Sequence, residues 1–212
     1  MARTHQRRRR HARGFTITEL LTVIALIGIL AAAAAPSMVT YLRDRRVQDA
    51  ARNVADLYRL ARARAMGRGS AMMVRWNQTA STPTATDPGH FGVYEGIVGP
   101  TSPLQAFMPA TTCSSFNAPG TQRFVKGFDE RRARYRPAAA TMLGAPPATA
   151  VNYLEICFTP RGRTFFRTAA GAAWQPMNFV PRVQVENGFN TMSRFVVIAP
   201  NGTTRVEERL VL

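Results

Sequence analysis

The stretch Gly14–Pro36, GFTITELLTVIALIGILAAAAAP, decides how this chain is built. The nineteen residues from Leu20, inside this stretch, to Met38, just beyond it, are all uncharged, and a membrane-spanning helix needs about 20 mostly apolar residues. Six arginines and no acidic residue precede it. Because positive charge ahead of the first apolar segment keeps that end in the cytoplasm, the sequence predicts a single-pass anchor with the globular part outside the cytoplasm.

One acidic residue, Glu19, lies near the start of this apolar segment. A conventional secreted protein with a signal peptide would combine the same basic and apolar regions with a small-residue cleavage site at Ala33–Ala35, and composition alone fits that alternative. A carboxylate that enters lipid costs up to about 3 kcal/mol and indicates a function and a partner cation. Since a signal peptide gains nothing from such a residue, Glu19 favours a segment that is retained.

Residues 14–20, GFTITEL, together with the basic leader, resemble the class III signal of type IV pilins and type II secretion pseudopilins. The resemblance implies that a prepilin peptidase cuts after Gly14, that Phe15 becomes the N-methylated first residue, and that the apolar segment stays. It also implies that Glu19 pairs with the terminal amine of a neighbouring subunit and sets axial register during assembly. Pro36 matches the family's helix-breaking proline, which kinks or loosens a helix because it lacks an N–H.

The same resemblance implies the partners and the compartment. The partners are other pilin or pseudopilin subunits, the prepilin peptidase and the bacterial inner membrane. The protein would cross that membrane once with its C-terminal domain in the periplasm, and would then enter a pilus or a pseudopilus.

By composition the chain divides into three parts. Residues 1–14 are the leader to be removed, residues 15–66 are one long helix with a transmembrane half at 15–38, and residues 67–212 are a β-rich extracytoplasmic domain. Between Val47 and Ala65 the apolar residues recur every three or four positions, which is typical of a helix packed on a domain. The predicted fold class is therefore α+β, with a long N-terminal helix packed on an antiparallel β-sheet or sandwich domain.

Short β-rich runs alternate with turn-forming residues after the helix. We interpret Asp129–Arg136 as a charged turn and the Ala- and Pro-rich Pro137–Ala150 as a loop, and we expect Pro181 to place its strand at a sheet edge or make it irregular. The predicted strands are Ser70–Asn77, Phe91–Val98, Gln122–Phe128, Val151–Thr159, Arg163–Thr168, Phe179–Glu186, Arg194–Ala199 and Thr203–Arg209.

Two pairs of these strands are joined by Pro-x-Gly turns, at Pro160–Gly162 and Pro200–Gly202. The Asn-Gly in the second turn is a strong hairpin signal. The segments VNYLEICFTPRGRTFFR and RFVVIAPNGTTRVE resemble the hairpins of the GspH/FimT-type branch of minor pilins and minor pseudopilins. This narrower resemblance implies a minor subunit.

The net charge is +16, and subtracting the six leader arginines leaves +10, a surplus that favours acidic partners. Some FimT-type minor pilins bind DNA for uptake through a Gly-Arg-x-Arg motif near the C-terminus, whereas here Gly162-Arg163-Thr164 is followed by Phe165. Alternatively, the arginines of the β-rich domain form solvated faces or interfaces to acidic neighbouring subunits. The candidate contact residues for nucleic acid or an acidic partner are Arg161, Arg163, Arg167, Arg132 and Arg134.

The sequence carries no motif for catalysis. His90 is the only histidine after the leader, and no nucleophile elbow, Walker loop, GxGxxG or CxxC occurs, so we expect no enzyme activity, no metal site and no cofactor. The two cysteines, Cys113 and Cys157, most simply form one disulfide in an extracytoplasmic domain.

Overall fold

The computed structural model describes residues 15–77, 91–99, 108–118, 120–127, 135–143, 150–187 and 193–208. The chain divides into two compact units, Met1–Leu42 and Arg43–Leu212. The described residues form one long α-helix, a 3₁₀ helix at Cys113–Asn117 and two antiparallel sheets. The predicted α+β class is confirmed.

The long N-terminal helix, α1, runs from Ile17 to Arg68 and passes through Pro36 without ending. It begins where the Oγ1 of Thr16 accepts a hydrogen bond from the amide of Glu19 at 3.2 Å, which satisfies one of the free N–H groups of a helix start. It ends before Gly69, whose φ of +68° is the left-handed conformation that commonly follows a helix.

The first sheet has six strands in the order β3-β2-β1-β6-β7-β8. Its members are β1 Met72–Asn77, β2 Phe91–Gly96, β3 Gln122–Gly127, β6 Tyr153–Phe158, β7 Thr164–Arg167 and β8 Gln175–Pro176. The second sheet has five strands in the order β11-β10-β9-β4-β5. Its members are β4 Tyr135–Leu143, β5 Ala150–Val151, β9 Val180–Asn187, β10 Ser193–Ile198 and β11 Thr204–Glu207.

The strand β4 corrects part of the prediction of a turn at Asp129–Arg136 and a loop at Pro137–Ala150. Residues 129–134 and 144–149 of that prediction lie outside the described residues. Alanine and proline have low intrinsic strand preference, but β4 is held by pairing with β9 along its length and with β5 near its end. The ladder shifts register between Pro137 and Ala139, so the proline lies at an irregularity, as proline in a sheet usually does. Tertiary pairing outweighs local preference here.

Pro181 also lies differently from the expectation, because β9 is an inner strand between β10 and β4. The pairing with β10 stops at Arg182, opposite Val197. At position 181 the strand therefore has only β4 beside it, where Pro181 is opposite Met142. Proline is tolerated because the sheet is locally one-sided at this position, although the strand is not an edge strand.

The second half of α1 packs against both sheets in one hydrophobic cluster. Residues such as Val54 of α1, Val74 and Ile156 of the first sheet, and Val183 and Ile198 of the second are all fully buried in it. The buried residues of α1 are Val47, Ala50, Ala51, Val54, Ala55, Leu57, Tyr58, Ala61 and Ala65. Five of these nine are alanines, which let the helix backbone lie close to the strands.

The opposite face of the first sheet is covered as well. Met73, which alternates with the residues of β1 that face α1, packs in a separate cluster with Tyr94, Phe116 and the two cysteines. Both faces of the central strands are thus buried, which explains why β2 is buried at every position.

The two Pro-x-Gly turns adopt the same geometry. In each, the glycine amide donates to the carbonyl three residues earlier, at 2.9 Å for Gly162 and 2.7 Å for Gly202. Both glycines have positive φ, +77° and +78°. They differ in surroundings: a Cβ on Gly162 would meet open space, whereas one on Gly202 would lie 2.9 Å from Phe158 and 3.1 Å from Arg62.

This pair of glycines separates conformational strain from packing. We expect Gly162→Ala to lower the free energy of unfolding by about 1 kcal/mol, because only the left-handed conformation is penalised. Gly202→Ala should cost about 1–3 kcal/mol more, because the added methyl overlaps Phe158. Urea unfolding of the full chain in detergent measures both values. Equal losses for the two variants would show that the β10–β11 turn is not packed against β6 and α1.

Candidate assembly segment and charged sites

The start of α1 places Glu19 in the first helical turn, near the exposed Phe15. A carboxylate here is favoured by the helix dipole, and the Thr16-x-x-Glu19 spacing is that of a capping box. Among the described residues no cation forms an ion pair with Glu19. The carboxylate is therefore compatible with a helix-starting role and is open to a cation from another molecule.

The side chains of α1 are exposed from Ile17 to Arg43. Among the described helices, α1 alone is apolar enough to cross a membrane by length and composition, with a mean hydropathy of 2.3 over an 18-residue stretch. Its hydroxyls are satisfied within the helix: Thr22, Ser37 and Thr40 donate to backbone carbonyls at 2.9, 2.8 and 3.0 Å. Internal hydrogen bonding lowers the cost of placing these groups in lipid, so the segment is consistent with membrane anchoring.

A row of charged residues crosses the first sheet on the face that lies away from α1. Glu155 of β6 is fully buried and lies directly opposite Arg75 of β1 on one side and Arg167 of β7 on the other. The Nε of Arg75 donates to one carboxylate oxygen at 2.6 Å, and the Nε of Arg167 donates to the other. The hydroxyl of Tyr153 adds a third hydrogen bond at 2.5 Å.

Arg75, Arg167 and Tyr153 are all paired with the same carboxylate, that of Glu155. Burial alone would lower the pKa of Arg75, but the Glu155 carboxylate raises it above its usual value. Burial and the hydrogen bond to Glu155 raise the pKa of Tyr153. Arg167 also donates to the side-chain oxygen of Asn117 at 2.6 Å and lies 4.4 Å above the ring of Trp174. These contacts are those of a structural element, because the carboxylate is already fully engaged.

Sequence reasoning missed this row because its members are far apart along the chain. Glu155 is 80 residues from Arg75 and 12 from Arg167, so no local spacing connects them. The available signal was a single charge in each of three mainly apolar strands, inside β1 and β6 and at the end of β7.

The candidate contact residues are divided by the structure. Arg167 is 3% exposed and paired with Glu155, so it is not available to a nucleic acid or an acidic partner. Arg161 and Arg163 are exposed on either side of Gly162 in the β6–β7 turn. Arg132 and Arg134 lie outside the described residues, as do Gly14 and His90.

Cys113 and Cys157 form a disulfide with their Cα atoms 6.1 Å apart. It joins the 3₁₀ helix to β6, two residues from Glu155 and on the same side of the sheet. Their sequence separation is 44. For a loop of that length, the loss of entropy in the unfolded chain stabilises the fold by roughly 4 kcal/mol. The disulfide and the charged row therefore lie on the same face of the first sheet.

Comparison with known proteins matches one family description, the prokaryotic N-terminal methylation motif, at residues 9–35. No curated protein and no solved structure matches the chain significantly. The motif supports a type IV pilin-like protein that assembles with other pilin subunits, and it points to a structural protein rather than an enzyme. In the described part of the chain, no group of three His, Cys, Asp or Glu residues could hold a metal ion.

The charged row can be tested by Glu155→Gln, which keeps the shape and removes the charge. We expect a loss of about 3–5 kcal/mol in the free energy of unfolding, because Arg75 and Arg167 are left without a buried counter-charge. The matched control is Asp56→Asn, which breaks the exposed 3.0 Å pair with Arg59 and should cost less than about 1 kcal/mol. Urea unfolding with fluorescence detection compares them, and similar losses would contradict the role given to Glu155.

Proposed function

We propose that this chain is a minor pilin or pseudopilin of the GspH/FimT type, cleaved by a prepilin peptidase after Gly14 and assembled through α1. The methylation motif at residues 9–35 carries the proposal. It is supported by the exposed apolar half of α1 and by the two Pro-x-Gly hairpins with equal turn geometry. The assembly would be a type IV pilus or a type II secretion pseudopilus.

In the proposed mechanism, the apolar surface of α1 lies first in lipid and later against the helices of other subunits. Before assembly, lipid covers the side chains between Leu20 and Leu42. In the filament, the same side chains pack on the equivalent helices of other subunits. Transfer between the two is nearly neutral for apolar area, since lipid tails are as apolar as leucine, so polar contacts decide position along the filament axis.

Glu19 supplies that polar contact in the proposed mechanism. Cleavage after Gly14 creates an ammonium group on Phe15, and a carboxylate in a low-dielectric environment needs a cation. The amine of a neighbouring subunit satisfies it only when the two helices are in register. A displaced subunit leaves two unpaired charges in the filament core, which gives the register its specificity.

The alternative of a conventional signal peptide is distinguished by the mature N-terminus. N-methylated Phe15 supports the proposed processing, and a mature chain that begins near Pro36 would replace it with secretion. N-terminal sequencing with mass spectrometry of the protein from its native membrane separates the two.

The register role is tested with Glu19→Gln. We expect cleavage after Gly14 to continue, because the cleavage site is intact, and incorporation into filaments to fall at least about tenfold, which corresponds to a lost pairing of about 1.4 kcal/mol. Asp49→Asn removes an exposed carboxylate elsewhere on α1 and should incorporate normally. Quantitative immunoblotting of sheared filaments gives the ratio, and normal incorporation of Glu19→Gln would rule out the mechanism.

A second candidate function is DNA binding by the filament. The exposure of Arg161 and Arg163 beside the open turn at Gly162 favours it, and the charge that remains after leader removal has the right sign. The burial of Arg167 reduces the candidate surface.

DNA binding makes a quantitative prediction about salt. If both arginines contact phosphates, the double variant R161Q/R163Q should reduce the slope of log K against log salt by about 1.8. The control R52Q/R205Q removes two exposed arginines from α1 and β11 and should leave the slope unchanged. Electrophoretic mobility shift of the mature chain in detergent provides the values. No shift at low salt would exclude this candidate.

A further inference from the structure

Three exposed arginines follow the apolar segment at once, and we call Arg43, Arg45 and Arg46 the arginine collar. They occupy consecutive positions of α1 interrupted only by Asp44. At roughly 100° per residue, their side chains leave the helix in three different directions. The collar therefore surrounds the helix instead of forming a stripe along one face.

Asp44 does not cancel this charge, because the β domain binds it. The Nη2 of Arg194 on β10 donates to both carboxylate oxygens of Asp44, at 2.8 and 3.1 Å. Asp44 is partly buried, while the three collar residues are exposed. In the described part of the chain, no collar arginine takes part in an ion pair. Within the described residues, the collar thus presents three positive charges that no ion pair compensates.

We propose that the arginine collar binds anionic phospholipid headgroups in the outer leaflet of the membrane that α1 spans. This inference rests on the proposed function, which places the preceding apolar segment in lipid. The collar begins at Arg43, five residues after the predicted transmembrane half ends at Met38, which is about 7.5 Å along the helix and places it at headgroup depth. Arginines there extend their charged ends towards phosphates while their stems stay near the acyl chains.

The order of the positive charges along the chain fits the binding of the collar to headgroups. Positive charge beyond the apolar segment opposes the orientation that places the N-terminus in the cytoplasm. The six leader arginines outweigh the three of the collar during insertion. After leader removal, the collar is the nearest cluster of positive charge that remains beside the segment, and it holds the subunit at the outer surface until assembly extracts it.

The collar is tested with the mature full chain reconstituted in phosphatidylcholine vesicles containing a minor fraction of phosphatidylglycerol. Spin-labelled phosphatidylglycerol and spin-labelled phosphatidylcholine report how strongly each lipid associates with the protein. We expect at least about a fivefold preference for phosphatidylglycerol, which is the effect of one arginine near a membrane surface. The preference should fall to about one in R43Q/R45Q/R46Q and should weaken in high salt.

The matched control is R52Q/R161Q/R163Q, which removes the same charge from three exposed arginines elsewhere and should keep the preference. Lack of a preference in the wild type, or its persistence in the collar variant, would overturn the proposal. If the collar variant keeps its lipid preference but loses filament incorporation, the arginines bind a neighbouring subunit instead.

Two further measurements separate this inference from the proposed function. Resistance to carbonate extraction shows whether the collar variant is still inserted in the membrane. Cleavage after Gly14 and filament incorporation of the wild type decide the proposed function independently of any lipid result. A wild type that is processed and assembled but shows no lipid preference would remove the collar proposal alone.

Discussion

The packing of the second half of α1 onto both sheets is the constraint on which the rest of the β domain depends. Each sheet has an apolar face that would otherwise meet water, and one helix covers both faces within a single cluster. The alanines of the helix allow this, because a bulkier residue at Ala55 or Ala61 would hold the helix away from the strands. Gly202 repeats the requirement at the β10–β11 turn, where Phe158 and Arg62 leave no room for a side chain.

The far face of the first sheet is organised differently, by charge and a covalent bond. Glu155 is held by two arginines on neighbouring strands, and the disulfide joins β6 to the 3₁₀ helix two residues away. A buried ion pair adds little net stability because desolvation offsets the attraction, but a misplaced partner is expensive. The row therefore acts on the register of β1, β6 and β7, while the apolar cluster supplies most of the stabilising burial.

The two halves of α1 use the same residue types in different surroundings. Before Arg43 the apolar side chains are exposed on all sides, whereas after it only one face is apolar and that face is buried. The first pattern suits lipid or neighbouring helices, and the second suits a folded domain. Glu19 lies near the start of the first region and the arginine collar directly follows its end, where a charge can reach a partner outside the chain.

The sequence by itself determined the long helix, its apolar half, the methylation motif and the two Pro-x-Gly hairpins, because each depends on residues within a short distance along the chain. Only the tertiary structure decided that residues 135–143 form a strand and that β9 is an inner strand. It also decided that Arg167 is buried with Glu155 rather than exposed beside Arg163. Strand order and buried charge pairing join residues that are distant in sequence, so no local pattern contains them. Arg163 and Arg167 lie four residues apart and look alike in the sequence, and only the position of Glu155 makes one a surface charge and the other part of the interior.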